Sequence, residues 1–213
     1  MTNAKRFSGE SPMDPQYRLF IALSVPAPIR TEMAAVQAEL QTMLPKASVS
    51  WTKLDQLHVT LRFLGNVAVD QISALKTQLA NALKHSSPFE VRSEQVGAFP
   101  DTRFPRVLWA GLNDTQNKLT QIHTLVEEAV TPFTTQEGHE KFHAHATLGR
   151  VKDLAARDTR SLHGILSKMS HRFFGEWCVK EVELMRSELS SQGALHSCVG
   201  SFPLRTHIQA PLS

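Results

Sequence analysis

Two short stretches, HVTL at residues 58–61 and HATL at residues 145–148, carry the same residue types in the same order. Each sets a histidine two places before a threonine, inside an apolar segment, with leucine directly after. In a strand, side chains alternate between faces. The imidazole and hydroxyl of each motif therefore share a face, about 7 Å apart along the chain. Val59, Leu61 and Phe63 take the opposite face of the first strand, and Phe142, Ala144, Ala146 and Leu148 that of the second. A pair of imidazoles can serve as general base and general acid, one activating a nucleophile while the other protonates a leaving group. Small hydroxyls can hold the oxygens of a phosphate as negative charge builds on it. One such motif is a weak signal, most simply a hydrogen-bonded surface histidine. Two in matching apolar frames point to one site assembled from two related halves.

The rest of the inventory narrows the chemistry. No GxSxG nucleophile elbow, P-loop or GxGxxG is present. His139, His143 and His145 lie close together and could be read as zinc ligands. There is no HExxH, however, the cysteines lie elsewhere, and threonine is a poor zinc ligand. No metal and no cofactor is therefore expected, and His139 and His143 are expected to be peripheral. Phosphodiester cleavage by the side chains alone suits the set. Arg62 shares the parity of His58 and Thr60 and is a candidate substrate-binding residue, with a solvated or ion-paired arginine as the simpler alternative.

These residues must be positioned by regular elements. YRLFIALSV from Tyr17 reads as a strand closed by Pro26 and Pro28. Ile29, Met33, Val36 and Leu40 recur at helical spacing and predict a helix ending before Pro45. The first motif lies in WTKLDQLHVTLRFLG, a strand entered through a turn and stopped by Gly65. A helix follows, with Asp70 as its cap and Ile72, Leu75, Leu79 and Leu83 on one stripe. FEVRSEQVGAFP and RVLWAGL read as two strands, followed by a third helix capped by Asn113 or Asp114. FHAHATLGR is the strand of the second motif, and a helical stretch over about 153–169 succeeds it. WCVKEVELMRSEL and ALHSCVGSFPL close the chain as two strands joined through SSQG. This mixture predicts an α+β fold with largely antiparallel sheets.

The bulk properties fit such a domain. The chain has 213 residues, 41% apolar and 20% charged, with a formal charge of +3. That excess is too small to identify a nucleic-acid partner by itself. Cys178 and Cys198 show no metal-ligand spacing and read as two reduced core thiols. No apolar run approaches the roughly 20 residues that span a bilayer, and the start lacks the apolar section of a secretory signal. The expectation is a cytoplasmic protein without membrane association. Residues 1–16 and 206–213 are expected to be tails around a single bilobal domain over 17–205.

The chain resembles the 2H phosphoesterases, named for two HxT motifs, and within them the LigT-like RNA 2′,3′-cyclic phosphodiesterases, also called 2′-5′ RNA ligases. YRLFIAL, LHVTLRFLG, FP…PRVLWAGL, FHAHATLGR and EVELMRSEL look like that group's blocks, in order, over most of residues 17–204. The resemblance implies a bilobal fold with two largely antiparallel sheets lining a central groove and helices outside. It implies hydrolysis of an RNA-terminal 2′,3′-cyclic phosphate to a 2′-phosphate. His58 and His145 would be the catalytic pair, the second as base and the first as acid, while Thr60 and Thr147 would hold phosphate oxygens. Arg150 occupies the family's basic position after the second motif. Strict alternation aims it away from Thr147, so a phosphate role needs a strand end or a bulge. The implied partner is RNA with a cyclic-phosphate end, tRNA fragments included, or a small cyclic nucleotide, handled by a monomer. Ligation of tRNA halves through a 2′-5′ bond and non-enzymatic RNA binding are the alternatives. Two positions depart from the family pattern. Ala144 stands where proline often precedes the second histidine, and His196 stands in place of a tyrosine in the last strand. A terminal base could stack on Phe104 or Trp109.

Overall fold

A computed structural model describes residues 15–136, 141–190 and 193–205. The tail expected over 206–213, nearly all of that over 1–16, and His139 lie outside the described residues. In chain order the elements are β1 (Gln16–Ser24), α1 (Ala27–Met43), β2 (Val49–Trp51), β3 (His58–Ala68), α2 (Ile72–Leu83), β4 (Phe89–Phe99) and β5 (Val107–Asn113). They continue as α3 (Lys118–Val130), β6 (His145–Val151), α4 (Ala156–Lys168), β7 (Phe173–Val179), β8 (Glu181–Ser190) and β9 (Gly193–Pro203).

Every strand pairing is antiparallel, and the strands follow the order β7-β4-β5-β6-β3-β1-β8-β9, with β2 beside β6. The path divides into halves, β9-β8-β1-β3 and β6-β5-β4-β7, that meet at one pairing, Val59 with Ala146. This is the expected α+β architecture, and its seam runs through the two HxT strands. The helices cover the faces that carry Ile21, Leu23, Val59, Leu108 and Ala146, all fully buried. Two of them cross between halves. α1 follows β1 yet packs on β6 and β7, whereas α3 follows β5 yet packs on β3 and α2. The halves are therefore locked together by exchanged helices as well as by the seam.

Local chemistry explains the boundaries. α1 opens with Pro28 in its first turn and buries Ile29, Met33, Val36, Gln37 and Leu40, the predicted stripe. Asp114 caps α3 by accepting from the backbone N–H groups of Gln116, Lys118 and Leu119 at 3.0, 2.6 and 3.0 Å, which satisfies donors that a helix start leaves open. Asp70 makes no such cap: a short 3₁₀ turn precedes α2, and no side chain caps either.

Three expectations change. The strand of the first motif does not stop at Gly65. That residue takes φ +73° and lets β3 bend and run on to Ala68, a conformation open to a residue without Cβ. WCVKEVELMRSEL is not one strand. It breaks at Lys180, and β7 pairs with β4 at one edge while β8 pairs with β1 and β9 in the other half. Cys178 is half-buried and Cys198 exposed, both with free thiols. Cys198 lies on β9, an edge strand that contributes Phe202 to the core while Cys198 stays at the surface. Among the described residues, no helix is long and apolar enough to cross a membrane.

Candidate active site

The seam positions the two motifs against each other. Antiparallel pairing of Val59 with Ala146, continued one residue to each side, sets His58 opposite Thr147 and Thr60 opposite His145. Directly opposite side chains are about 5 Å apart at Cβ and share a face. Val59 and Ala146 are fully buried, while all four polar residues are half-buried. The groove face thus carries a local two-fold, with imidazole and hydroxyl alternating at the corners of a small square.

Both rings are held in the same way. His58 Nδ1 lies 2.7 Å from the Gln56 carbonyl oxygen, and His145 Nδ1 lies 2.7 Å from that of His143. A carbonyl only accepts, so each Nδ1 carries the proton and donates it. Nε2 is left as the ring atom able to take or give a proton. Gln56 also anchors the first ring's support to the far strand, because its side-chain amide donates to the Ala194 carbonyl on β9. Burial pushes the His58 imidazole down to about 4; the Gln56 carbonyl opposes this, and His196, His145 and Arg150 add to the lowering. His145 is lowered as well, by burial first and then, against the His143 carbonyl, by the His143 ring and Arg150. At neutral pH both rings are therefore uncharged in the resting protein. Arg150 lies within electrostatic reach of both.

Arg150 reaches the groove because of a bulge. Along the β5–β6 ladder Trp109 faces Thr147 but Leu108 faces Gly149, so Leu148 is skipped. The extra residue inverts the parity of the residues after it. Gly149 turns inward, and Arg150 is exposed on the side of His145 and Thr147. The carbonyl of Leu148, freed from the ladder, accepts from Gln37 Nε2 at 2.7 Å and from the Thr52 backbone N–H at 3.0 Å. Gln37 is buried on α1 and donates to the Thr52 carbonyl at 2.8 Å as well. Gln37→Leu is expected to lower stability by roughly 1–3 kcal/mol, the cost of removing the donor to the Thr52 carbonyl and one of the two donors to the Leu148 carbonyl, as read from denaturant unfolding; an unchanged midpoint would contradict this account of the bulge.

The first motif has the matching bulge, with the opposite consequence. Ile21 faces Arg62 and Ala22 faces Thr60, so Leu61 is skipped. The inversion sends Arg62 to the core face beside Ile21. There it is 5% exposed, lies 3.2 Å from Glu127 of α3 and donates to the Gln136 carbonyl. The structure does not bring Arg62 to the groove, and parity counted through an undetected bulge is the reason. The same inversion corrects Phe63, expected in the core: it is 43% exposed and stands with Phe20 on the groove face. Phe63 and Arg150 occupy equivalent places in the two halves, so one rim of the groove is aromatic and the other cationic.

Aromatic rings flank both imidazoles. Phe20 and His196 lie 4.9 and 5.3 Å from His58 by ring centroid, and Phe99 lies 5.0 Å from His145. His196 is thus a neighbour of the first imidazole across the β3–β1–β8–β9 half. Trp109 is 7% exposed and packs against His143 at 4.9 Å, so it floors the groove instead of offering a free face. A cavity of about 150 Å³ opens beside His58, with Ser24, Arg30, Asp55, Glu183 and His196 in its wall. Alternation counted from the motifs gives no sign of Phe63 or Phe99 here, because Phe63 lies beyond a bulge and Phe99 at the end of β4. Phe20, by contrast, takes the face of β1 opposite Leu19 and Ile21 by plain alternation.

The chain is similar to known proteins in both sequence and fold. Residues 23–109 match the family described as LigT like phosphoesterase. A relative from Archaeoglobus fulgidus named RNA 2′,3′-cyclic phosphodiesterase is 31% identical over 84% of this chain and 96% of its own. A crystal structure of a Thermus thermophilus protein superposes with TM-score 0.69 at 26% identity, covering 88% of this chain and 98% of that one. Escherichia coli LigT, solved in complex with 3′-AMP, has the same fold, with TM-score 0.72 at 21% identity over 90% of this chain and all of that one.

Proposed function

The chain belongs to the LigT-like phosphoesterases, and from that membership and the paired imidazoles we propose that it is an RNA 2′,3′-cyclic phosphodiesterase, opening a terminal cyclic phosphate to a 2′-phosphate. The carrying observation is the square of His58, Thr60, His145 and Thr147 across the seam. Water adds to phosphorus on the side opposite the 3′ oxygen, the bond from phosphorus to that oxygen breaks, and the oxygen leaves with a proton. His145 Nε2 takes the proton from water, and His58 Nε2 supplies the other.

Resting His58 is neutral, because burial holds it at about 4. The negative charge of the bound phosphodiester favours its protonated form. Once charged, a ring of such low proton affinity gives its proton up readily to a departing alkoxide. Thr60 and Thr147 donate to the non-bridging oxygens, and Arg150 offsets their charge from the rim. RNA bearing the cyclic end is the substrate, and a ribose 5′-hydroxyl attacking in place of water would give 2′-5′ ligation as a minor parallel reaction.

The test follows the terminus of an RNA ending in 2′,3′-cyclic phosphate, with EDTA present. Conversion to the 2′-phosphate alone is the expected product. A 3′-phosphate product, or binding without any change at the terminus, would overturn the reading.

A further inference from the structure

We infer that the loop joining β4 to β5 is the docking rim for the RNA strand leading away from the reacting end, with Phe104 stacking the base of the penultimate nucleotide. The inference rests on the reading just given of the same groove and extends it to substrate length. Phe104 is 72% exposed. One exposed ring alone means little; its setting gives it meaning. The Asp101 carboxylate accepts from the backbone N–H groups of Arg103 and Phe104 at 2.7 and 3.1 Å, so the tip is shaped before any ligand arrives. Thr102 Oγ1 lies 2.6 Å from His163 Nδ1 on α4, which ties the loop down from the other side. An ordered aromatic on a tethered loop loses little freedom when a base stacks on it.

The base of the loop is fastened to the active site itself. Arg106 N donates to the Phe99 carbonyl at 2.7 Å, Val151 N donates to the Arg106 carbonyl at 2.9 Å, and Val107 pairs with Arg150. Arg103, Phe104, Arg106 and Arg150 are all exposed and belong to the half of the sheet that carries His145. Arg103 is shared with Asp101 at 3.3 Å, which leaves Arg150, level with Val107 at the foot of the loop, as the cation beside the imidazoles for a passing phosphate. Charge separates the two rims. The cavity beside His58 holds Asp55 and Glu183, only partly offset by Arg30, and that rim ends in Phe63. A polyanion is steered along the arginine side.

The register of the contact comes from which rings touch the imidazoles. Phe20, His196, Phe99 and His143 have ring contacts with His58 or His145. Among the described residues no ring contact joins Phe104 to either, and it stands five residues beyond Phe99 at the loop tip. It therefore meets the nucleotide outside the terminal one. Stacking on aromatic side chains is tolerant of base identity, so this rim reads chain length and not sequence.

Phe104→Ala and the wild type are compared on a 2′,3′-cyclic mononucleotide and on a pentanucleotide ending in the same group. Loss of one stacked base predicts a rise in KM of about 10- to 100-fold on the pentanucleotide, with kcat held. On the mononucleotide the change stays within about 2-fold. Equal losses on both substrates, or none on either, would overturn the inference. Binding of a pentanucleotide carrying the 2′-phosphate, measured by fluorescence polarisation on the same two proteins, reads the stacking without turnover. A chain that binds it but hydrolyses nothing fails the functional reading alone, while equal affinities for wild type and variant fail this inference alone.

Discussion

Replacing His58 or His145 by alanine is expected to lower the rate of cyclic-phosphate opening by about 10²- to 10⁴-fold. The two rings are tied to separate supports, His58 to the Gln56 carbonyl and His145 to the His143 carbonyl. Each substitution should therefore leave the other ring in place. Because both serve one displacement, the double variant should lose little more than the weaker single variant, since groups acting as a unit are grossly non-additive. Single-turnover rates for the two single variants and the double variant check this. Turnover at the wild-type rate in either single variant would remove that histidine from the chemistry, and losses that multiply would mean that the two act in separate steps.

The hydroxyls come next in size. Thr60→Val and Thr147→Val keep side-chain shape and remove one donor each. A donor aimed at developing phosphate charge is typically worth about 10²- to 10³-fold in kcat, and that loss is expected from each variant. Thermal midpoints should hardly move, because both side chains are half-buried on the groove face instead of in the core. A loss confined to KM would instead assign the hydroxyls to ground-state binding.

Much of this is legible in the residues. Alternation around each HxT predicts a shared polar face and a buried opposite face, and Val59 and Ala146 are fully buried as required. The site residues that parity misplaces all lie beyond one kind of feature. A bulge leaves no mark in composition, so the leucine after each threonine reads as an ordinary core residue. Skipping Leu61 moves Arg62 inward and Phe63 outward, and skipping Leu148 brings Arg150 to the groove. Parity counted from either motif holds only as far as its bulge. The partner that fixes the second bulge, Gln37, sits on a helix stripe that reads as plain core packing apart from its one amide. The division of β7 from β8 is equally silent, since the break falls at Lys180 within a continuous strand-forming run and only long-range pairing sends the two pieces to different halves. Spacing within a strand is local information. Which strand lies alongside it is not.

The two-imidazole mechanism is tested most directly by the pH dependence of kcat/KM, which reports the acid and base of the free enzyme. One ring must be neutral and the other charged, so a bell is required. Both rings are lowered by burial, His58 to about 4; neutral His145 is lost as pH falls, and protonated His58 is lost as pH rises. The maximum is therefore expected on the acid side of the ordinary imidazole value of 6.5, and the limb on the alkaline side should vanish in His58→Ala. A rate flat between about pH 4 and 9, or a variant retaining both limbs, would contradict the assignment.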